Sequence, residues 1–218
     1  MFYFSLIAFK VLKRNKQRLN IIFSAFFIST IMAAILNMIY AALTDTTIIL
    51  ILNYFTNFFT CFGAIFLLVV NIVILESTII FPVKKQNRYI VLYGLLLLIG
   101  MLPFYLLKRG WGVWIENNYP RFSPIFLIFV ISFASSFVGI PIISTSLKIY
   151  TRFETKALKK KWRYHFIGTL GVFSIPYLIW INNYVFSPDF RLIVGIYGIS
   201  AIFWGYLMYY GIGFKLKE

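Results

Sequence analysis

Few residues in this chain are of a type that does chemistry. There is one histidine, His165, and six carboxylates: Asp45, Glu76, Glu116, Glu154, Asp189 and Glu218. A zinc or haem site draws several such ligands to one point, and a lone histidine supplies no pair. His165 falls in a basic stretch at the edge of an apolar run, where it reads as an interfacial aromatic. Every carboxylate lies in a loop or at the end of an apolar run, so a proton relay or ion-coupled transport has no buried acid to use. No lysine sits inside a run, which argues against a retinal Schiff base, and no Ser-His-Asp arrangement is recognisable. No catalytic residue, metal site or cofactor is implied.

The polar residues that remain are amides and small side chains at helical spacing. Asn53, Asn57, Thr60 and Asn71 recur in steps of three and four or their multiples, together with Ala64 and Leu67, and so share one helix face. A line of amides is costly against lipid, so this face turns inward, either to hydrogen-bond to other helices or to line a polar cavity for a small ligand. Asn37, in the run before, is a candidate for the same interior. Ser132, Ser136 and Gly139 mark one stripe for close helix packing, and Gly198 and Gly205 another. Pro103, Pro141 and Pro176 lie within apolar runs and predict local kinks.

The elements that carry these residues follow from composition. The chain is 61% hydrophobic and 12% charged, where a soluble domain is about 45–50% and about 25%. Mean hydropathy is +0.86. A soluble fold of this size has no interior large enough for that apolar content, whereas lipid can cover the outside of a polytopic membrane protein. Six runs are long enough to span, at 19–43, 48–75, 89–107, 124–147, 167–186 and 192–214. Residues 1–12 form a shorter apolar piece. It reads either as an interfacial helix or as half of a first transmembrane helix in a seven-helix bundle. The fold class is therefore all-α, a single polytopic bundle with six full helices and a partial one. The only cysteine, Cys61, lies within a run, so no intrachain disulfide can form.

The charge distribution orients the bundle. The segments 10–18, 76–88, 148–166 and 215–218 hold 17 of the 21 basic residues, and the alternate connections 44–47, 108–123 and 187–191 hold four. Short loops rich in Lys and Arg are retained in the cytoplasm, which predicts a cytoplasmic C-terminus in the cell membrane. The densest segment includes Lys156, Lys159, Lys160, Lys161 and Arg163. It is a topology signal and also a candidate contact for anionic lipid, at roughly 1 kcal/mol per residue near the surface. The net charge of +15 is not a nucleic-acid footprint, because no soluble basic surface is present to carry it. Trp111, Trp114 and Tyr119 in the 108–123 connection read as headgroup-layer aromatics or as a cap over an outward-facing pocket.

The opening segment FKVLKRNKQRLNIIFSAFFISTIMAAILNMIY places a partial helix, a basic loop and an apolar helix in succession. In this order of pieces the chain resembles the seven-helix N-terminal sensor regions of some prokaryotic histidine kinases. The resemblance is one of composition over about residues 1–107, and the 218 residues include no kinase or other output domain. It carries no site residue over, but it implies a non-enzymatic sensor or receptor-like module that signals through a separate partner. A small transporter or channel subunit, working as a homo-oligomer, is the alternative expectation, and a membrane-embedded lipid enzyme the third. The expected partners are the lipid bilayer and a cytoplasmic signalling protein.

Overall fold

The computed structural model describes residues 2–14, 17–106 and 110–213. Lys16, the segment 107–109 and the tail 214–218, which enter the run boundaries and charge count above, lie outside the described residues. In chain order the elements are α1 (Phe2–Arg14), α2 (Arg18–Ala41), α3 (Thr46–Ile80) and α4 (Val83–Leu106), a hairpin of β1 (Val113–Glu116) and β2 (Tyr119–Phe122), then α5 (Pro124–Ala134). A π-helical turn (Ser135–Gly139) joins α5 to α6 (Ile140–Arg152), and α7 (Lys156–Val185), α8 (Pro188–Ile199) and α9 (Ala201–Gly213) follow. Among the described residues, six helices are long and apolar enough to cross a membrane: α2, α3, α4, α5–α6 taken together, α7, and α8–α9 taken together. The chain is an all-α integral membrane bundle.

Several helices extend beyond their apolar runs. α3 has 35 residues, about 52 Å of helix, well over the roughly 30 Å of hydrocarbon. α4 begins at Val83 rather than Tyr89, and α7 at Lys156 rather than Ile167. The polar segments expected at 76–88 and 148–166 are therefore mostly helix ends, with short breaks at Phe81–Pro82 and 153–155. Lys, Arg, Gln and Glu are good helix formers, so the helices continue into the polar layer where hydropathy no longer detects them. Side-chain caps then set the starts: Asp45 accepts from Thr47 and Ile48, Ser123 from Phe126, Thr155 from Leu158 and Ser187 from Phe190. Pro124 and Pro188 occupy the first turns, where no intrahelical donor is needed.

α3 is the central helix. Of its apolar window 56% is buried, against 39% or less in every other span. It packs on α2, α4 and α6 and also meets the hairpin, while α7 packs along α9. α1 runs antiparallel along α2: the Phe4 ring lies 5.6 Å from that of Phe27, and Ser24 donates to the Ala8 carbonyl. Ile7 and Val11 are buried in that contact. The bundle has a basic end, where α4, α6 and α7 carry their Lys and Arg beside the C-terminal end of α3, and a hairpin end.

The hairpin was not expected in the 108–123 connection. Asn117 and Asn118 both adopt positive φ, 51° and 63°, as a two-residue type I′ turn requires. Asparagine tolerates that region better than other side chains. Val113 and Phe122 are buried against the bundle, with β1 on α3 and α4 and β2 on α3 and α7. Arg121 pairs with Glu116 at 3.0 Å, and Trp114 Nε1 donates to the same carboxylate. A Cβ at Gly112 would overlap the Phe104 carbonyl, so the close approach of the hairpin to α4 needs glycine there.

Candidate functional site

The amide ladder of α3 divides into two separate clusters. Near the hairpin end, Asn57 Nδ2 donates to Tyr105 Oη and Asn53 Oδ1, and Tyr105 Oη donates to Asn53 Oδ1 at 2.8 Å. Trp180 Nε1 of α7 donates to Asn57 Oδ1 at 3.0 Å, and Tyr40 of α2 lies 3.5 Å from Asn53 Nδ2. Asn53, Asn57, Tyr105 and Trp180 are all buried. Four helices thus share one closed set of hydrogen bonds, and its polar atoms are taken up by one another rather than turned to a cavity.

The second cluster, at Asn71, lies about four turns beyond Asn57 along α3. Asn71 Nδ2 donates to Ser146 Oγ at 2.8 Å and to Thr145 Oγ1 at 3.2 Å, both on α6. Trp162 Nε1 donates to the Ser146 carbonyl at 2.8 Å, joining α7 to the same point. His165 stacks beside Trp162 and its Nδ1 lies 3.2 Å from the Met208 carbonyl of α9. His165 is not the interfacial aromatic expected: it is buried about two and a half turns inside α7, because that helix begins nine residues before it.

Other expected residues fall elsewhere. Asn37 is exposed on the outer surface of α2 and belongs to neither cluster. Thr60 donates to the Thr56 carbonyl of its own helix. Ser132 and Ser136 are exposed. The buried face of α5 and the turn is instead Phe126, Val130, Ala134 and Val138, apolar groups at steps of four. Gly205 does accept a close neighbour, the Phe4 ring, but Gly198 faces open space. The tightest helix contact was missed. A Cβ at Gly168 would lie 2.6 Å from both Met208 N and the Trp204 carbonyl, and Gly171 and Gly211 are equally confined between α7 and α9.

An apolar cleft of about 190 Å³ opens on the bundle surface between α6 and α7. Gly139, Ile142 and Ile143 form one wall; Leu170, Phe173 and Tyr177 form the other. Ile143 and Leu170 are exposed at its mouth. Its polar atoms are already engaged: Tyr177 Oη lies 2.8 Å from Ser135 Oγ, Ser174 Oγ lies 2.7 Å from Tyr197 Oη, and Thr169 donates to the His165 carbonyl. The π-helical turn on one side is closed by Ile140 N donating to the Ser135 carbonyl, and Pro141 follows it. Pro176 interrupts α7 on the other side. Both walls are therefore helices with a weakened hydrogen-bond ladder beside the cleft.

The basic residues stand on these same two helices. Lys156, Lys160 and Arg163 are exposed, Lys159 and Lys161 half-buried. The Lys159 ammonium sits over the Tyr150 ring of α6, 5.9 Å from its centre. Arg152 reaches across to the Leu75 carbonyl near the end of α3 at 2.8 Å. Comparison of the chain with family models, with curated proteins and with solved structures finds no match to any of them.

Proposed function

We propose that this protein is a sensor or receptor-like membrane module that passes a signal from the α6–α7 cleft to its basic end, and from there to a separate protein chain. The supporting observation is continuity: the two helices that form the cleft are the two that continue into the basic α6–α7 connection. The Ser135–Tyr177 hydrogen bond ties the walls together midway, and the Arg152–Leu75 contact ties the connection to the central helix. A π-helical turn and an internal proline leave each wall able to shift without breaking a full ladder. By the positive-inside rule we place the basic end in the cytoplasm and the protein in the cell membrane. The engaged polar groups of the cleft favour this reading over a transport pathway, which calls for unsatisfied polar groups or charges along the route.

The test is a distance measurement in lipid. Spin labels on Glu76→Cys and Lys160→Cys report the basic end of α7 against the end of α3, while native Cys61 is buried. Tyr177→Phe removes the bridge between the walls, and Gly139→Leu fills the cleft. Either change is expected to shift or broaden the distance distribution. Unchanged distributions in both variants contradict the coupling, and solute flux through liposomes holding the wild-type protein would favour a transporter.

A further inference from the structure

We infer that the cleft and two of the basic residues together form a binding site for one anionic phospholipid drawn from the surrounding leaflet. On α7, Lys159, Arg163, Phe166, Leu170, Phe173 and Tyr177 recur in steps of four and three, and so lie along one helix face. The last three line the cleft. Lys160 and Lys161 lie off this face. At 1.5 Å per residue, Leu170 is about 10 Å and Tyr177 about 21 Å deeper than Arg163. A phosphate at Lys159 and Arg163 would therefore run its acyl chain along Phe166 and into the cleft, within the depth of one leaflet, half of the roughly 40–45 Å that a bilayer measures with its headgroup layers.

The cleft chemistry agrees with that occupant. Thr169, Ser174 and Tyr177 spend their polar atoms on protein partners, so what faces the cleft is methyl and ring surface, suited to a hydrocarbon chain and poor for a polar solute. The mouth opens beside exposed Ile143 and Leu170, where lipid is the surrounding medium. At the other end Lys159 is held in place over Tyr150. Glu154, in the break between α6 and α7, is the only carboxylate within 148–163 and leaves the local charge strongly positive. This inference takes the cleft as the ligand site of the reading above, and names the ligand.

The experiment uses the full chain in nanodiscs or detergent with two probes, phosphatidylglycerol and phosphatidylcholine, and counts bound lipid by native mass spectrometry. A phosphatidylglycerol carrying a diazirine midway along one acyl chain then maps the chain. One tightly held phosphatidylglycerol is expected, with phosphatidylcholine far weaker. Lys159→Gln with Arg163→Gln should weaken it about tenfold or more, while Lys160→Gln with Lys161→Gln should change it by less than about threefold. Leu170→Trp, at an exposed position, should obstruct the chain and reduce crosslinking to residues 139–143 and 169–177. Equal loss from both pairs of basic residues, or crosslinks spread evenly over exposed apolar sites such as Leu95 and Leu96, would overturn the site and leave only diffuse attraction. If lipid binds as expected but the spin-label distances do not respond to it, the sensor reading fails and the lipid site stands. If the distances respond to cleft variants but lipid does not bind, the reverse holds.

Discussion

Asn57 is the residue with most riding on it. Its amide joins Asn53, Tyr105 and Trp180 in a buried site, and replacing it with leucine leaves the Trp180 N–H without an acceptor. Hydrogen bonds between membrane helices average well under 1 kcal/mol, with larger values to about 1.7. An orphaned buried donor adds about 1–3 kcal/mol. Asn57→Leu is therefore expected to destabilise the bundle by roughly 2–3 kcal/mol, read as an earlier transition in detergent unfolding. Asn37→Leu, on the exposed face of α2, should change it by less than about 0.5 kcal/mol. Equal effects would contradict the assignment of the two amides. The spacing of Asn53, Asn57 and Asn71 announced an inward face, and that was legible. Their partners were not. Tyr40, Tyr105 and Trp180 stand near helix ends, where aromatics usually mark the lipid interface, and nothing local distinguishes an aromatic turned inward. Asn37 shows the converse: an amide in an apolar run is a signal of burial only when its face repeats.

The contact between α7 and α9 rests on the absence of side chains. Gly168 and Gly171 let Trp204 and Met208 approach the α7 backbone, and Gly211 does the same for His165. Small residues drive such association because lipid offers no hydrophobic gain between helices. Gly168→Leu should separate the pair and lower the unfolding midpoint sharply, whereas Gly198→Leu, with nothing within 4 Å of its Cβ position, should be tolerated; the unfolding transitions of the two variants decide it. The glycine stripe of α8–α9 was visible in the sequence, yet only its inner part is used: Cβ positions at Gly195 and Gly198 have nothing within 4 Å, and the helix is interrupted at Ser200. Ser200 donates to the Tyr197 carbonyl and accepts from Trp204 Nε1 there. The hairpin was likewise hidden. VWIE and YPRF are each too short and mixed to announce a strand, and the Asn117–Asn118 turn is the one local cue. Helix starts at Val83 and Lys156 escaped for a different reason: apolar runs report where lipid lies, and helices continue past it.

At the scale of the molecule, the alternation of charge was the strongest signal in the sequence, and the six membrane-length helices follow its segmentation. What composition could not disclose is that the α6–α7 wall carries both the cleft and the densest basic surface, since that depends on which helices become neighbours. The signalling reading and the lipid site both require the basic end to face the cytoplasm and the hairpin the outside. The most direct measurement labels single introduced cysteines in native membranes with a maleimide that does not cross the bilayer. Cys61 is buried and stays silent as a background. Lys160→Cys is expected to label only after the membrane is opened, and Tyr119→Cys, exposed in the hairpin, to label in intact cells. The opposite pattern would put the basic end outside and contradict both proposals at once.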